Sequence, residues 1–143
     1  GEELLQKNKA IGARTMVAYV DMNNLKIVND RYGHDEGDFS IKLISEMLTA
    51  AAAGIGLAGR VGGDEFALAV SVSPDVGERA FVDRIYRRFQ EYNEGSEKPY
   101  NITVSVGTCI VEADDTLTLK EALTLADGKL YAEKQNRVKS VAK

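Results

Sequence analysis

The residues equipped for chemistry gather in two short stretches. Arg60-Val61-Gly62-Gly63-Asp64-Glu65-Phe66 sets two carboxylates directly after paired glycines, between the apolar runs Leu57–Val61 and Phe66–Val70. Upstream, Thr15-Met16-Val17-Ala18-Tyr19-Val20 is a third apolar run, and it delivers Asp21, followed by Met22-Asn23-Asn24-Leu25-Lys26. Paired glycines between β-like runs signal a hairpin, because glycine accepts positive φ and lets other groups approach the backbone. Carboxylates crowded at a hairpin tip repel one another unless a cation lies between them, which is how Mg²⁺ sites are usually built. Read alone, Asp64 and Glu65 are ordinary solvated turn residues and Asp21 is a helix N-cap. Two acidic strand ends in one chain favour a shared cation.

The remaining pattern supplies elements to carry these stretches. Helical spacing runs from Glu2 to Ile11, and Gly12 stops it. The near-continuous apolar run at 15–20 reads as a central strand covered on both faces. Asn24 to Tyr32 is a short helix with Leu25, Val28 and Tyr32 on its inner face. A longer helix opens at Asp38 or Phe39 and runs to about Ala53, with Ile41, Ile44, Leu48 and Ala51 at helical spacing. After the hairpin, Val82, Ile85, Phe89 and Tyr92 mark a third helix. Ile102 to Val111 is a fourth strand, and Thr118 to Arg137 a last helix. This order is a βαββαβ core of the ferredoxin-like kind with an extra terminal helix, an α+β palm with an antiparallel central sheet flanked by helices. In such a sheet the first and third strands are neighbours, so Asp21 is brought beside the hairpin.

A chain of 143 residues suits one domain with one sizeable core, and 44% hydrophobic residues is too many for disorder. A net charge of −4 with no long basic run argues against a dedicated nucleic-acid binder. Arg84, Arg87 and Arg88 read as one solvated helix face. No apolar run is long enough to span a membrane and no signal peptide is visible. The single Cys109 excludes an internal disulfide, fits a reducing cytoplasm, and falls in a β-like run where a buried inert thiol is expected.

Gly62-Gly63-Asp64-Glu65-Phe66 spells the GGDEF signature, and the chain resembles the GGDEF domains, the diguanylate cyclases. Asp21 to Asp30 is similar to the family's D-x-D-x-F-K-x-x-N-D, and Tyr32-Gly33-His34 with Gly37-Asp38 to its Y-G-H-x-x-G-D. Ser105-Val106-Gly107 looks like its S-x-G strand, and Ala126-Asp127 with Leu130-Tyr131 and Lys134 like A-D-x-A-L-Y-x-A-K. These segments occur in the family's order over nearly the whole chain. The family's D-x-L-T-G-L-x-N-R is absent ahead of the first helix, so the sequence reads as a single GGDEF domain, residues 1–143, cut from a longer protein with an attached sensor or regulatory domain.

The resemblance implies condensation of two GTP into cyclic di-GMP, with release of two pyrophosphates, at the interface of a transient homodimer. It implies Mg²⁺, with Mn²⁺ as a substitute, held by Asp21, Asp64 and the Met22 carbonyl. Glu65 completes the cluster as a further metal ligand or as the base for the attacking hydroxyl. Lys26 assists catalysis and, with Asn24 and Leu25 at a helix start, contacts phosphate. Gly62 and Gly63 give the substrate close access to the backbone. Asn29 and Asp38 recognise guanine: a carboxylate accepts from the ring N–H and exocyclic amine that adenine lacks. Read without the family, Asn29 is a helix-end amide, Asp38 an N-cap and His34 a turn residue. Lys134 continues the stripe Leu119, Leu123, Ala126, Leu130, so it projects from the core side of its helix. A lysine there needs an anion, such as a triphosphate, or a route to solvent.

Several positions depart from the family. Asn23 stands where Asp is more common, lowering the site's charge modestly, and Leu25 stands for Phe. After Lys134 the family's x-x-G-R-N is shortened to Gln135-Asn136-Arg137-Val138, leaving Arg137 as the replacement for the family arginine. The register of the inhibitory R-x-x-D motif holds Ala53 and Gly56, so that product site is expected to be absent. The runner-up reading is a degenerate GGDEF domain that binds GTP and regulates an attached domain. A nucleotide cyclase of other base choice is disfavoured by Asn29 and Asp38.

Overall fold

The computed structural model describes residues 2–73 and 77–137, without the side chains of 135–137. In chain order the elements are α1 (Glu2–Ala10), β1 (Arg14–Met22), α2 (Leu25–Tyr32), α3 (His34–Ala52), β2 (Gly56–Gly62), β3 (Glu65–Val72), α4 (Glu78–Gly95), β4 (Val104–Val111) and α5 (Leu119–Arg137). The four strands form one antiparallel sheet in the order β2-β3-β1-β4. That is the expected palm, with β1 central.

Alternation along β1 explains why it sits there. Met16, Ala18, Val20 and Met22 enter the larger core, with Ile44 and Leu48 of α3, Ile85 and Phe89 of α4, and Phe66, Leu68 and Val70 of β3. Val17 and Tyr19 point the other way, toward Leu5 of α1 and Ala122 and Ala126 of α5. A strand apolar on both faces needs a helix layer on each side. Cys109 is a buried free thiol in the smaller core, and burial pushes its pKa up.

The start of α3 departs from the expectation. The helix opens at His34, so His34 is its first residue, and Asp38 lies inside it rather than capping it. Gly33, at φ 98°, makes the break between α2 and α3 by itself, so no longer turn is needed. Gly37 then sits within the helix for a packing reason: a Cβ there would collide with the Asn29 amide oxygen. The break also lets α2 fold back on α3, which is what holds Asn29 in place.

Gly107 does similar work on the other face. A Cβ at this position of β4 would run into the backbone of α5 at Ala126 and Leu130. With Ala122 and Ala126 fully buried beneath the helix, α5 lies low over β1 and β4. One turn beyond Leu130, that close approach carries Lys134 over the end of β1.

Candidate active site

Asp21 is the last but one residue of β1, directly opposite Glu65 on β3 and Ser105 on β4. One residue on, the Met22 N–H donates to the Asp64 carbonyl at 3.0 Å. Cross-strand pairing thus brings Asp21, Met22, Asp64 and Glu65 to one end of the sheet, as the topology required.

The Asp21 carboxylate is the focus of this end. Its Oδ2 accepts from Lys134 Nζ at 2.6 Å, while its Oδ1 is buried and has no partner among the described residues. Burial pushes the Asp21 pKa up to about 6; the Lys134 hydrogen bond opposes the shift and the neighbouring Asp64 carboxylate adds to it. A buried oxygen without a donor is costly unless something cationic reaches it. Two adjoining carboxylates with one unserved oxygen fit a hard divalent cation, which takes oxygen ligands. Among the described residues no set of three or more acidic, histidine or cysteine side chains converges in metal-holding geometry. Glu65 Oε2 accepts from the Tyr19 hydroxyl at 2.7 Å.

The other candidate residues fall around this point. Asn24 adopts a left-handed conformation, φ 62° and ψ 30°, and its carbonyl accepts from Val28 N–H at the start of α2. Leu25 packs half-buried against the larger core. Lys26 is exposed and pairs with Asp30 at 3.0 Å, one helical turn on, away from the carboxylates. Asn29 is wedged against Gly37, whereas the neighbouring Asp38 is exposed and lines a shallow cavity of about 490 Å³ with Ile41, Lys42, Ser45, Glu46 and Arg60. Gly62 and Gly63 are exposed with open space where a Cβ would go, and Gly63 holds φ 47°. The Arg137 side chain lies outside the described residues.

Three contacts escaped the sequence reading. Arg60 Nε donates to the Gly63 carbonyl at 2.9 Å and clasps the hairpin turn. Tyr19, read only as part of an apolar strand, reaches Glu65. Asn23, weighed there only for its lack of charge, bonds to β4 and the residue ahead of it. It is buried, donates to Thr103 Oγ1 at 3.3 Å, accepts from Ser105 Oγ at 2.9 Å, and ties the end of β1 to β4. The alternation of β1 was a signal for Tyr19, since it shares a face with Asp21. The partners of Arg60 and Asn23 are set by contacts that the sequence does not display.

A palm-like α+β sheet with paired carboxylates where β1 meets the β2–β3 turn defines the class. The family model for the diguanylate cyclase GGDEF domain matches residues 2–140. The chain belongs to the GGDEF family. It is 35% identical over 133 residues to diguanylate cyclase DgcP of Escherichia coli K12, covering 89% of this chain and 37% of that protein. It is 34% identical over 137 residues to the probable diguanylate cyclase DgcJ of the same organism, covering 95% of this chain and 26% of that protein. The chain therefore spans well under half the length of these relatives. The fold matches the GGDEF domain of DgcB from Caulobacter crescentus, solved in complex with c-di-GMP, with a TM-score of 0.80 at 24% identity, over 99% of this chain and 84% of that one. It also matches the active GGEEF domain of a diguanylate cyclase from Vibrio cholerae, with a TM-score of 0.81 at 23% identity, over 95% of this chain and 86% of that one. No helix among the described residues is long and apolar enough to cross a membrane.

Proposed function

We propose that this domain is a Mg²⁺-dependent diguanylate cyclase that condenses two GTP into cyclic di-GMP across a transient homodimer. The observation that supports the reading best is the buried Asp21 Oδ1 beside Asp64, an oxygen with no hydrogen-bond partner among the described residues. Each subunit presents one GTP. The 3′-oxygen of each attacks the α-phosphorus of the other, the bond to pyrophosphate breaks, and the hydroxyl proton passes to a base. Reactions of this kind are accelerated mainly by positioning and by charge placed where the phosphate oxygens become more negative.

Asp21, Asp64 and the Met22 carbonyl are the groups that would hold Mg²⁺, which when bound supplies positive charge to the triphosphate. Lys134, with its ammonium already over this end of the sheet, is the residue placed to meet triphosphate oxygens. Glu65 is the carboxylate beside them, a further ligand of the cation or the acceptor of the hydroxyl proton. Asn29 and Asp38 face the guanine, and the open backbone at Gly62 and Gly63 leaves room for the nucleotide. In the longer protein a sensor or regulatory domain would govern dimerisation, in the cytoplasm.

One feature favours the regulatory alternative, a domain that holds GTP without turnover: one oxygen of Glu65 is engaged by the Tyr19 hydroxyl. Incubating concentrated protein with GTP and Mg²⁺ and resolving the nucleotides by chromatography separates the two. Cyclic di-GMP that rises steeply with protein concentration, and is abolished by Asp64→Ala in a domain that still folds, is the expected result. Turnover that survives Asp64→Ala would overturn the metal assignment. Tight GTP binding without product, even when the domain is dimerised by a fused coiled coil, would establish the regulatory alternative.

A further inference from the structure

The break at Gly33 does not by itself fix the angle between α2 and α3, because a glycine at φ 98° constrains its neighbours little. Tyr100, from the segment between α4 and β4, braces that angle from both sides. Its ring stacks on Tyr32, the last residue of α2, with centroids 4.9 Å apart and planes tilted by 30°. Its hydroxyl donates to Glu36 Oε1 at 2.7 Å, in the first turn of α3, and lies 3.4 Å from Ser40 Oγ in the next turn. Burial, with the Glu36 carboxylate, pushes the Tyr100 pKa up to about 12, so the hydroxyl stays a donor throughout the neutral range. Lys98 reinforces the contact from the same segment. Its ammonium pairs with Glu36 Oε1 at 2.9 Å and lies 4.5 Å from the centre of the Phe39 ring. The Tyr32 hydroxyl in turn donates to the Pro99 carbonyl at 3.5 Å.

The two residues assigned to the base belong to the two helices so braced. Asn29 of α2 is wedged against Gly37 of α3, and Asp38 follows Gly37 in the chain. Their relative placement is therefore set by the angle at Gly33 and not by either helix alone. Reading an amine and a ring N–H demands that angle closely, since hydrogen bonds weaken steeply when donor and acceptor are misaligned. A short hydrogen bond to an ionised carboxylate is among the stronger polar contacts, and here it joins a buried ring to the turn that carries Asp38. We infer that Tyr100 is a positioning residue for base selection: its ring on Tyr32 and its hydroxyl on Glu36 hold α2 and α3 at the angle that sets Asn29 and Asp38 against guanine. The inference rests on the proposed function and deepens it, because a side chain only 1% exposed, with no surface to offer a nucleotide, governs how well guanine is told from hypoxanthine.

The test is Tyr100→Phe, which removes one oxygen and keeps the ring. Calorimetry with 3′-deoxy-GTP and 3′-deoxy-ITP reads the base site without turnover, because both lack the attacking hydroxyl and differ only in the exocyclic amine. The parent should hold the guanine form about tenfold more tightly, and Tyr100→Phe should narrow that ratio about threefold while affinity for the hypoxanthine form stays within about twofold. Glu36→Ala should narrow the ratio likewise, whereas Glu36→Gln, which keeps an acceptor for the hydroxyl, should stay within about twofold of the parent. In an Asp38→Ala background Tyr100→Phe should cause no further narrowing. General loosening of the fold would weaken both nucleotides in parallel and leave the ratio alone, and thermal melting verifies that each variant is folded. An unchanged ratio in Tyr100→Phe, a narrowing that persists in the Asp38→Ala background, or a parent with no preference for the guanine form would overturn the inference. A parent that prefers guanine but makes no cyclic di-GMP when dimerised overturns the proposed enzyme, and the ratio still decides the role of Tyr100.

Discussion

Lys134 Nζ stands 2.6 Å from Asp21 Oδ2, joining residues that lie 113 positions apart in the chain. The lysine is 35% exposed and the aspartate 15%, so this ion pair is only partly screened by water. It supplies the anion that a lysine on the core side of α5 needs. It also puts a monovalent cation on one oxygen of a carboxylate whose other oxygen has no partner among the described residues.

Lys134→Met removes that charge and keeps the stem. The variant should lose about 1 kcal/mol of stability in chelator, a figure discounted for the lysine's exposure. Mg²⁺ should then restore more stability to the variant than to the parent. Urea unfolding with EDTA and with Mg²⁺ checks this; equal responses in both proteins would contradict it.

The same carboxylate has a pH signature. Burial raises Asp21 to about 6 from an ordinary value of 3.8, so the folded chain binds the proton more tightly than the unfolded one. Its contribution is favourable below the unfolded value and is lost as pH rises toward 6. In chelator, Asp21→Asn should therefore flatten the stability profile between about pH 4 and pH 6, and stabilise the domain relative to the parent at pH 7. Urea midpoints across that range provide the measurement. Parallel profiles for parent and variant would show that Asp21 is not shifted.

Gly107→Val tests whether the low seat of α5 places Lys134. The new side chain meets the α5 backbone, which cannot move aside as a flexible side chain does. A loss of about 1–3 kcal/mol is expected from overpacking. Fluorescent GTP binding should weaken together with stability, even in variant protein that remains folded at low temperature. Full nucleotide affinity in Gly107→Val would separate α5 from the site.

Asn23→Ala cuts the tie between the end of β1 and β4, leaving Ser105 Oγ without its buried acceptor. Unsatisfied buried groups of this kind cost about 1–3 kcal/mol. Asn23→Asp keeps an acceptor for the Ser105 hydroxyl but adds a buried charge, and it should be less stable at pH 7 than at pH 5. Melting temperatures of the two variants check both statements. If Asn23 instead governs charge at the cation site, Asn23→Asp should tighten Mn²⁺ binding, which this geometry does not predict.

Arg60→Ala probes the clasp on the hairpin turn. The contact is exposed, so melting should move little, because surface changes of this kind are usually within about 0.5 kcal/mol. The turn carries Asp64, however, and the cavity beside it carries Asp38. GTP binding should therefore weaken severalfold in calorimetry while stability holds. A variant indistinguishable from the parent in both measurements would make Arg60 a bystander.

The sequence by itself determined the frame. Alternation and apolar continuity marked β1 as a doubly covered central strand, the glycine pair marked the hairpin, and βαββαβ order implied that β1 and β3 are neighbours. Backbone pairing then compels Asp21 and Glu65 to face each other, because register in a buried sheet cannot slip without turning its core residues outward. The opening of α3 was missed because a single glycine suffices for the break, and because Gly37 is a packing residue whose partner, Asn29, lies on another helix. What only the tertiary structure decided is how each carboxylate is used. Side-chain hydrogen bonds depend on angles and distances between elements remote in the chain, and on which small residues leave room. Ala67 and Gly107 free Tyr19 to reach Glu65, and Gly107 seats α5 so that Lys134 reaches Asp21. Those contacts turn four acidic letters, Asp21, Asp64, Glu65 and Asp38, into groups with different neighbours, because distance and burial, not residue type, set the charge each of them feels.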